Sequence, residues 1–153
     1  MADTSLNESR LSILIWKTSN LWQSKIRQLL KNSNLTFNEY LIMETLYELQ
    51  KYKKNITQQD ICKNSSIDRS VVSLKITNLE KKNLLNRSQP IDKRSYGLFL
   101  TNSGKLLVES LINSVKNEES IIFDKLDTEI FNFTNSLKLL LGKKIRIKAN
   151  YNE

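Results

Sequence analysis

The sequence predicts a mainly α fold of the α+β class: a winged helix-turn-helix held between N- and C-terminal dimerisation helices. Three observations carry that prediction. Apolar residues recur at spacings of three, four and seven along most of the chain, the pattern of amphipathic helices. Only 3 Gly and 1 Pro are present, too few for the many turns of a sandwich or barrel. A single interval, residues 84–100, turns β-rich around the lone proline. With 153 residues, 39% of them hydrophobic, one folded domain over 1–153 is expected.

The first helix is expected between Ser5 and Asn32, so that residues 5–32 form one flanking element. Leu6, Leu11, Leu14, Ile15, Leu21, Trp22, Ile26, Leu29 and Leu30 make its apolar face, and Ser5 with Glu8 forms a capping box. Lys31-Asn32-Ser33-Asn34 breaks the pattern. The second helix opens on Thr36 and Glu39, again a capping box, with Leu35 and Tyr40 placed as a hydrophobic staple. Phe37, Leu41, Ile42, Leu46 and Leu49 form its inward face, and the charged run 51–55 ends it.

The same start signal recurs at Ile56-Thr57-Gln58-Gln59-Asp60-Ile61, where Thr57 caps, Asp60 answers it and Ile56 staples to Ile61. This short helix stops at Asn64-Ser65-Ser66. Asp68 then caps a fourth helix, with Ile67 stapling to Val72, and Val72, Ile76 and Leu79 as its buried stripe. Asn83, which tolerates the left-handed conformation, closes it. Two short helices joined by a tight turn read as helix-turn-helix.

Leu84–Ser88 and Ser95–Leu100 are short and β-rich, and Gln89–Lys93 between them has turn composition. Two strands with a charged tip after a helix-turn-helix make a wing, which closes a lobe over 35–100. Residues 102–142 return to helix. Thr101 caps the first of these, with Leu107, Leu111, Ile112, Val115, Ile122 and Phe123 on one face. Asp127 caps the last, with Ile130, Phe133, Leu137, Leu140 and Leu141, and Gly142 ends it. The basic tail 143–153 reads as a strand or arm, or as a loosely ordered end.

Charge is unevenly spread. Between Lys51 and Arg94 eleven basic residues face four acids, so +7 of the chain's +8 lies in one central block. That permits a nucleic-acid partner, the competing reading being a solvated lysine-rich face. No histidine exists, which removes His-based acid–base chemistry, the Ser-His-Asp arrangement and every His-containing metal site. No phosphate-binding glycine loop or metal-ligand cluster is present either. The expectation is a non-enzyme with no cofactor and no metal. One Cys excludes an internal disulfide framework, and Cys62 reads as inert packing rather than a redox sensor. No stretch is long and uncharged enough to span a bilayer, and Met1–Ser5 lacks a secretory signal. A soluble, cytoplasmic protein with no membrane partner is expected.

Leu35 to Leu107 resembles the multiple antibiotic resistance regulator (MarR) family of bacterial winged-helix transcription factors. Three motifs carry the resemblance: Ile56–Ile61; Asp68-Arg69-Ser70-Val71-Val72-Ser73 running on to Leu79-Glu80-Lys81-Lys82-Asn83-Leu84; and Pro90-Ile91-Asp92-Lys93-Arg94 continuing to Leu100-Thr101-Asn102-Ser103-Gly104. Asn83 stands where the family usually has Gly, Leu74 where an Arg is common, and Lys75 where an apolar residue is common.

The resemblance implies a sequence-specific duplex-DNA-binding regulator, most often a repressor, acting as a homodimer on a pseudo-palindromic operator. The helix from Asp68 becomes the major-groove reader, presenting Arg69, Ser70, Val71, Ser73, Leu74, Thr77 and Asn78. Lys63, Lys81, Lys82 and Arg87 become phosphate partners. Lys93 and Arg94 occupy the wing tip, with Arg94 entering the minor groove and Asp92 ordering the wing. A small-molecule effector is a further partner in this family. Trp16, Trp22, Tyr40 and Tyr47 are the aromatic candidates for its pocket, with plain packing the preferred reading of them. The alternative function is a winged-helix protein–protein interaction module without operator binding.

Overall fold

A computed structural model of the chain describes residues 10–92 and 95–145. The elements are α1 (Leu11–Leu30), a 3-10 turn (Lys31–Ser33), α2 (Phe37–Leu49), α3 (Gln58–Ser65), α4 (Arg69–Lys81), β1 (Leu85–Asp92), β2 (Ser95–Leu100), α5 (Asn102–Phe123), a 3-10 segment (Asp124–Glu129) and α6 (Ile130–Leu140). They form two compact units, Met1–Lys116 and Asn117–Glu153, the division falling within α5.

Local capping chemistry explains where the helices of the first unit begin. Thr36 Oγ1 accepts the Glu39 N–H and Glu39 Oε2 accepts the Thr36 N–H, both halves of the expected box. Thr57 and Asp60 do the same for α3, and Lys53 Nζ donates to Asp60 Oδ1 at 2.6 Å. Of the three pairs expected to staple, Leu35 with Tyr40 and Ile56 with Ile61 are buried, while in the third Val72 is buried and Ile67 half-buried. The Ser5–Glu8 box lies outside the described residues; α1 opens at Arg10 with no side-chain cap.

Between α3 and α4 the turn takes Ser66 into the left-handed region, φ 58, with its N–H donating to the Cys62 carbonyl. Asp68 occupies the N-cap position of α4, as the sequence predicts, but its side chain makes no capping bond. The residue is exposed, and its carbonyl rather than its carboxylate accepts the Val72 N–H.

The end of α4 is built from backbone closure at Asn83 and a threonine clasp from the start of α5. Asn83 adopts φ 57; its N–H reaches the Glu80 carbonyl and the Leu84 N–H reaches the Leu79 carbonyl. These are the two bonds of a Schellman closure. Thr101, the expected cap of α5, donates its hydroxyl to the Asn83 carbonyl and accepts the Gly104 N–H, while its own N–H reaches the Leu84 carbonyl. At Gly104 any Cβ would collide with that Leu84 carbonyl oxygen. Glycine is required here by close approach, not by a turn.

β1 and β2 pair antiparallel, with Leu85 opposite Leu100 and Asp92 opposite Ser95. β1 runs further than predicted, through the segment read as a turn. Pro90 stands opposite Tyr96 with the register shifting on either side of it, the kind of irregularity at which strands tolerate proline. Leu98 donates its N–H to the Ile56 carbonyl at 2.7 Å, tying the sheet to the segment before α3.

The core of this unit joins Ile26 and Leu30 of α1, Tyr40, Ile42, Met43 and Leu46 of α2, Ile61, the α4 stripe, Leu85, Leu98 and Val108. Leu41, expected inward, is only half-buried, and Tyr40 and Met43 take the interior instead. Upstream of Ile26, α1 leaves Leu11, Leu14, Ile15, Trp16 and Leu21 exposed.

In the second unit α6 packs with the 3-10 segment and has no buried residue; Leu139, Leu140 and Leu141 are all at least 60% exposed. The predicted Asp127 cap is corrected. Asp127 lies at a kink inside the 3-10 segment, φ 45, and α6 begins after Glu129 without a side-chain cap. The backbone reversal at Asp127, not its carboxylate, separates the elements. Gly142, φ 67, closes α6: its N–H reaches the Leu139 carbonyl and the Lys143 N–H reaches the Lys138 carbonyl, the same pattern as at Asn83.

Two outcomes follow from this packing. Gly104→Ala should destabilise the fold by about 2 kcal/mol or more, because backbone must move to admit the methyl; thermal unfolding reads it. Asp60 is pushed up by burial, but bonds from Lys53 and from the Thr57 backbone and hydroxyl outweigh that and hold its carboxyl below the ordinary value. A depressed carboxyl stabilises above the unfolded value, about 3.9, and loses that stabilisation as pH falls through the folded one. Asp60→Asn should therefore cost about 1 kcal/mol at pH 7, with the gap from wild type closing below about pH 4.

Candidate nucleic-acid interface

Helix α4 has two unlike faces. Val72, Ile76 and Leu79 are sealed in the core, while Arg69, Ser70, Ser73 and Leu74 are exposed. Val71, Thr77 and Asn78 are half-buried on the flanks. All seven residues expected to read bases therefore lie outside the buried stripe. Among the described residues the Ser70 and Ser73 hydroxyls make no hydrogen bond, and the Thr77 hydroxyl donates to the Ser73 carbonyl at 3.2 Å.

The cations around this helix divide into two sets. Lys51 pairs with Glu48, Lys53 with Asp60, Lys82 with Glu39 and Arg87 with Glu80. Lys54, Lys63, Arg69, Lys75 and Lys81 make no ion pair among the described residues, and of these Lys63, Arg69 and Lys81 are exposed beside the turn and along α4. An unpaired surface cation meets a phosphate without first breaking a bond.

Lys82 departs from its expected role. Its Nζ lies 2.7 Å from Glu39 Oε2 and 2.6 Å from the Asn34 carbonyl oxygen. Glu39 is 1% exposed, so Lys82 neutralises a buried carboxylate and locks the end of α4 to the start of α2. The two residues are 43 apart, and no local sequence signal joins them. Arg87 keeps an exposed guanidinium 3.1 Å from Glu80, so β1 and α4 are bridged at the base of the wing.

At the wing, Lys93 and Arg94 lie outside the described residues, and Asp92 is placed only as the last residue of β1. Tyr96, next to the wing tip, carries no local sequence signal. It shares strand parity with buried Leu98 and Leu100 yet is 52% exposed.

The four aromatic candidates have separate surroundings. Tyr40 is sealed in the core, the Trp22 ring packs edge-on to Phe37 at 5.2 Å, and the Tyr47 hydroxyl donates to Glu109. That bond, helped by desolvation and the Glu109 charge, raises the Tyr47 phenol above its ordinary value. Trp16 is exposed on α1. Cys62 is half-buried against the core. Among the described residues there is no metal-binding cluster, and no helix is long and apolar enough to cross a membrane.

A helix-turn-helix with an exposed second helix, a two-stranded wing and unpaired flanking cations defines a winged-helix protein. Residues 24–111 match the family described as transcriptional regulator SarA/Rot. The chain belongs to that family and is a transcriptional regulator of the MarR/SarA type. It is 27% identical over 111 residues to an uncharacterised HTH-type transcriptional regulator, YdcH, of Bacillus subtilis, covering 72% of this chain and 76% of that one. The Staphylococcus aureus MepR–DNA complex superposes with TM-score 0.77 at 28% identity, over 86% of this chain and 96% of MepR. A MarR family regulator from Rhodococcus sp. RHA1 shares the fold, TM-score 0.78 at 15% identity, over 94% of this chain and all of that one.

The contrast between adjacent lysines is measurable. Lys82→Ala should cost about 2 kcal/mol, between the values for exposed and buried pairs, because Glu39 stays behind uncompensated. Lys81→Ala should leave thermal unfolding unchanged within about 0.5 kcal/mol.

Proposed function

We propose that the chain binds a pseudo-palindromic duplex operator as a homodimer, with α4 in the major groove and the wing in the minor groove, and represses transcription by occupying it. The observation that carries this reading is the exposed face of α4, lined with hydrogen-bonding side chains and bordered by the unpaired cations Lys63, Arg69 and Lys81. Ser, Thr and Asn offer donors and acceptors to base edges, while the cations supply sequence-independent attraction through counterion release. MepR, 28% identical, is known in complex with DNA, which supports the same partner here. On this reading Lys93 and Arg94 serve the minor groove and Asp92 orders the wing tip, as the resemblance implies.

Two-fold repetition is needed because one reading helix spans only a few base pairs; dimers set two such helices about 34–36 Å apart. The apolar residues that α1 and α6 leave exposed support the pairing, since a monomer rarely leaves so many large apolar side chains open to water. We assign residues 5–32 and 102–142 to dimerisation and read 1–153 as one functional domain. Occupancy of DNA requires no catalysis, and the chain acts in the cytoplasm as a binding protein rather than an enzyme.

The purified chain should sediment at twice 17.9 kDa and retain a selected operator against competitor DNA. Arg94→Ala should weaken that binding without changing the melting temperature. Lys81→Ala should lower the slope of log affinity against log salt by about 1. A monomer at micromolar concentration, or equal affinity for operator and competitor, contradicts the proposal.

A further inference from the structure

The outer face of α4 is neutral at its centre. Ser70, Ser73, Leu74 and Thr77 share it, while Arg69 and Lys81 stand at the two ends of the helix. Leu74 is 59% exposed and is the largest side chain of the four. Ser70 lies one turn before it, and Thr77 and Asn78 one turn after. A lone exposed leucine ordinarily needs no explanation. This one occupies the middle of the face that meets the duplex, where an unmatched apolar group would strip water from base-edge polar atoms and replace none of those bonds.

We propose that Leu74 is a thymine reader: it requires the 5-methyl group of a thymine at one position in each half-site. The inference rests on the major-groove placement of α4 proposed above and names what that helix reads. The major groove presents hydrogen-bonding atoms on every base pair but only one apolar group, the C5 methyl of thymine. An isobutyl side chain has no donor for guanine O6 and N7 and no acceptor for the cytosine amine. Against either it loses water contacts without return, whereas against the thymine methyl both partners shed apolar surface.

The neighbours narrow the choice further. Bidentate recognition of guanine needs Arg or Lys facing the groove, and the centre of this face has neither. Lys75 is half-buried, one turn before the sealed Leu79. The Thr77 hydroxyl gives its proton to the Ser73 carbonyl, so toward a base it can only accept. That suits an exocyclic amine, such as that of adenine paired with a thymine. Discrimination at this position is therefore apolar, and the cations at the helix ends carry the salt-dependent part of affinity.

Duplexes enriched from a random-sequence pool by the purified full chain provide the probe, and replacing thymine by uracil one position at a time removes only the methyl group. At one position per half-site, uracil should weaken wild-type binding about fourfold, the worth of one buried methyl at about 0.8 kcal/mol. Leu74→Ala, whose melting temperature should match wild type because the residue is exposed, should bind the thymine and uracil duplexes equally. An enriched duplex indifferent to uracil at every position overturns the inference, as does Leu74→Ala retaining the full discrimination. Failure to enrich any duplex is a different result: it overturns the operator reading itself, and the thymine reader falls with it.

Discussion

The Leu84 carbonyl accepts the Thr101 N–H at 3.1 Å, while Gly104 passes so close to it that no β-carbon fits. That approach sets where α5 departs from the end of α4. It is possible only because Asn83 turns left-handed and points the chain back under the helix it has just ended. Lys82, one residue earlier, reaches Glu39 and so ties the same point to the start of α2. Backbone closure, a threonine clasp and a buried ion pair thus converge on three consecutive residues. A helix held firmly at one end can leave its outer face bare without losing its position.

The bare face and the fixed end are complementary requirements for reading DNA. Side chains that recognise base edges must stay unoccupied within the subunit, so they contribute nothing to folding. The groups that hold the helix must be fully occupied, so they are unavailable to DNA. Ser70, Ser73 and Leu74 are exposed on the outer face of α4, whereas Lys82 and Glu39 hold each other. Adjacent residues, Lys81 and Lys82, fall on opposite sides of that division although their chemistry is the same. A difference in direction around the helix, not in charge, separates an exposed cation with no ion pair among the described residues from a structural counter-ion.

The same principle explains the exposed apolar residues at either end of the chain. In α2 and α4 the apolar stripe meets partners within its own lobe and is sealed. Along α6, and along α1 upstream of Ile26, the amphipathic pattern is equally regular but the described chain does not cover it. Periodicity therefore reports that a face will be buried, and leaves open whether by the same chain or by another copy.

What sequence alone determined was local. The boxes at Thr36–Glu39 and Thr57–Asp60, the cap at Thr101, the left-handed closures at Asn83 and Gly142 and the buried stripe of α4 were all legible. Each depends on residues within four or five positions of one another, where helix geometry dictates who meets whom. Asp127 and Asp68 show the limit even there. A carboxylate at a plausible capping position need not bond: the backbone reverses at Asp127, and at Asp68 the side chain makes no capping bond although the residue holds the N-cap position. Only the tertiary structure decided that β1 would run through Pro90, that Gly104 is a contact point and that Lys82 answers Glu39. Those outcomes join elements that lie far apart in the chain, and a pattern read along one dimension carries no record of which distant surfaces approach closely enough to exclude an atom or neutralise a charge.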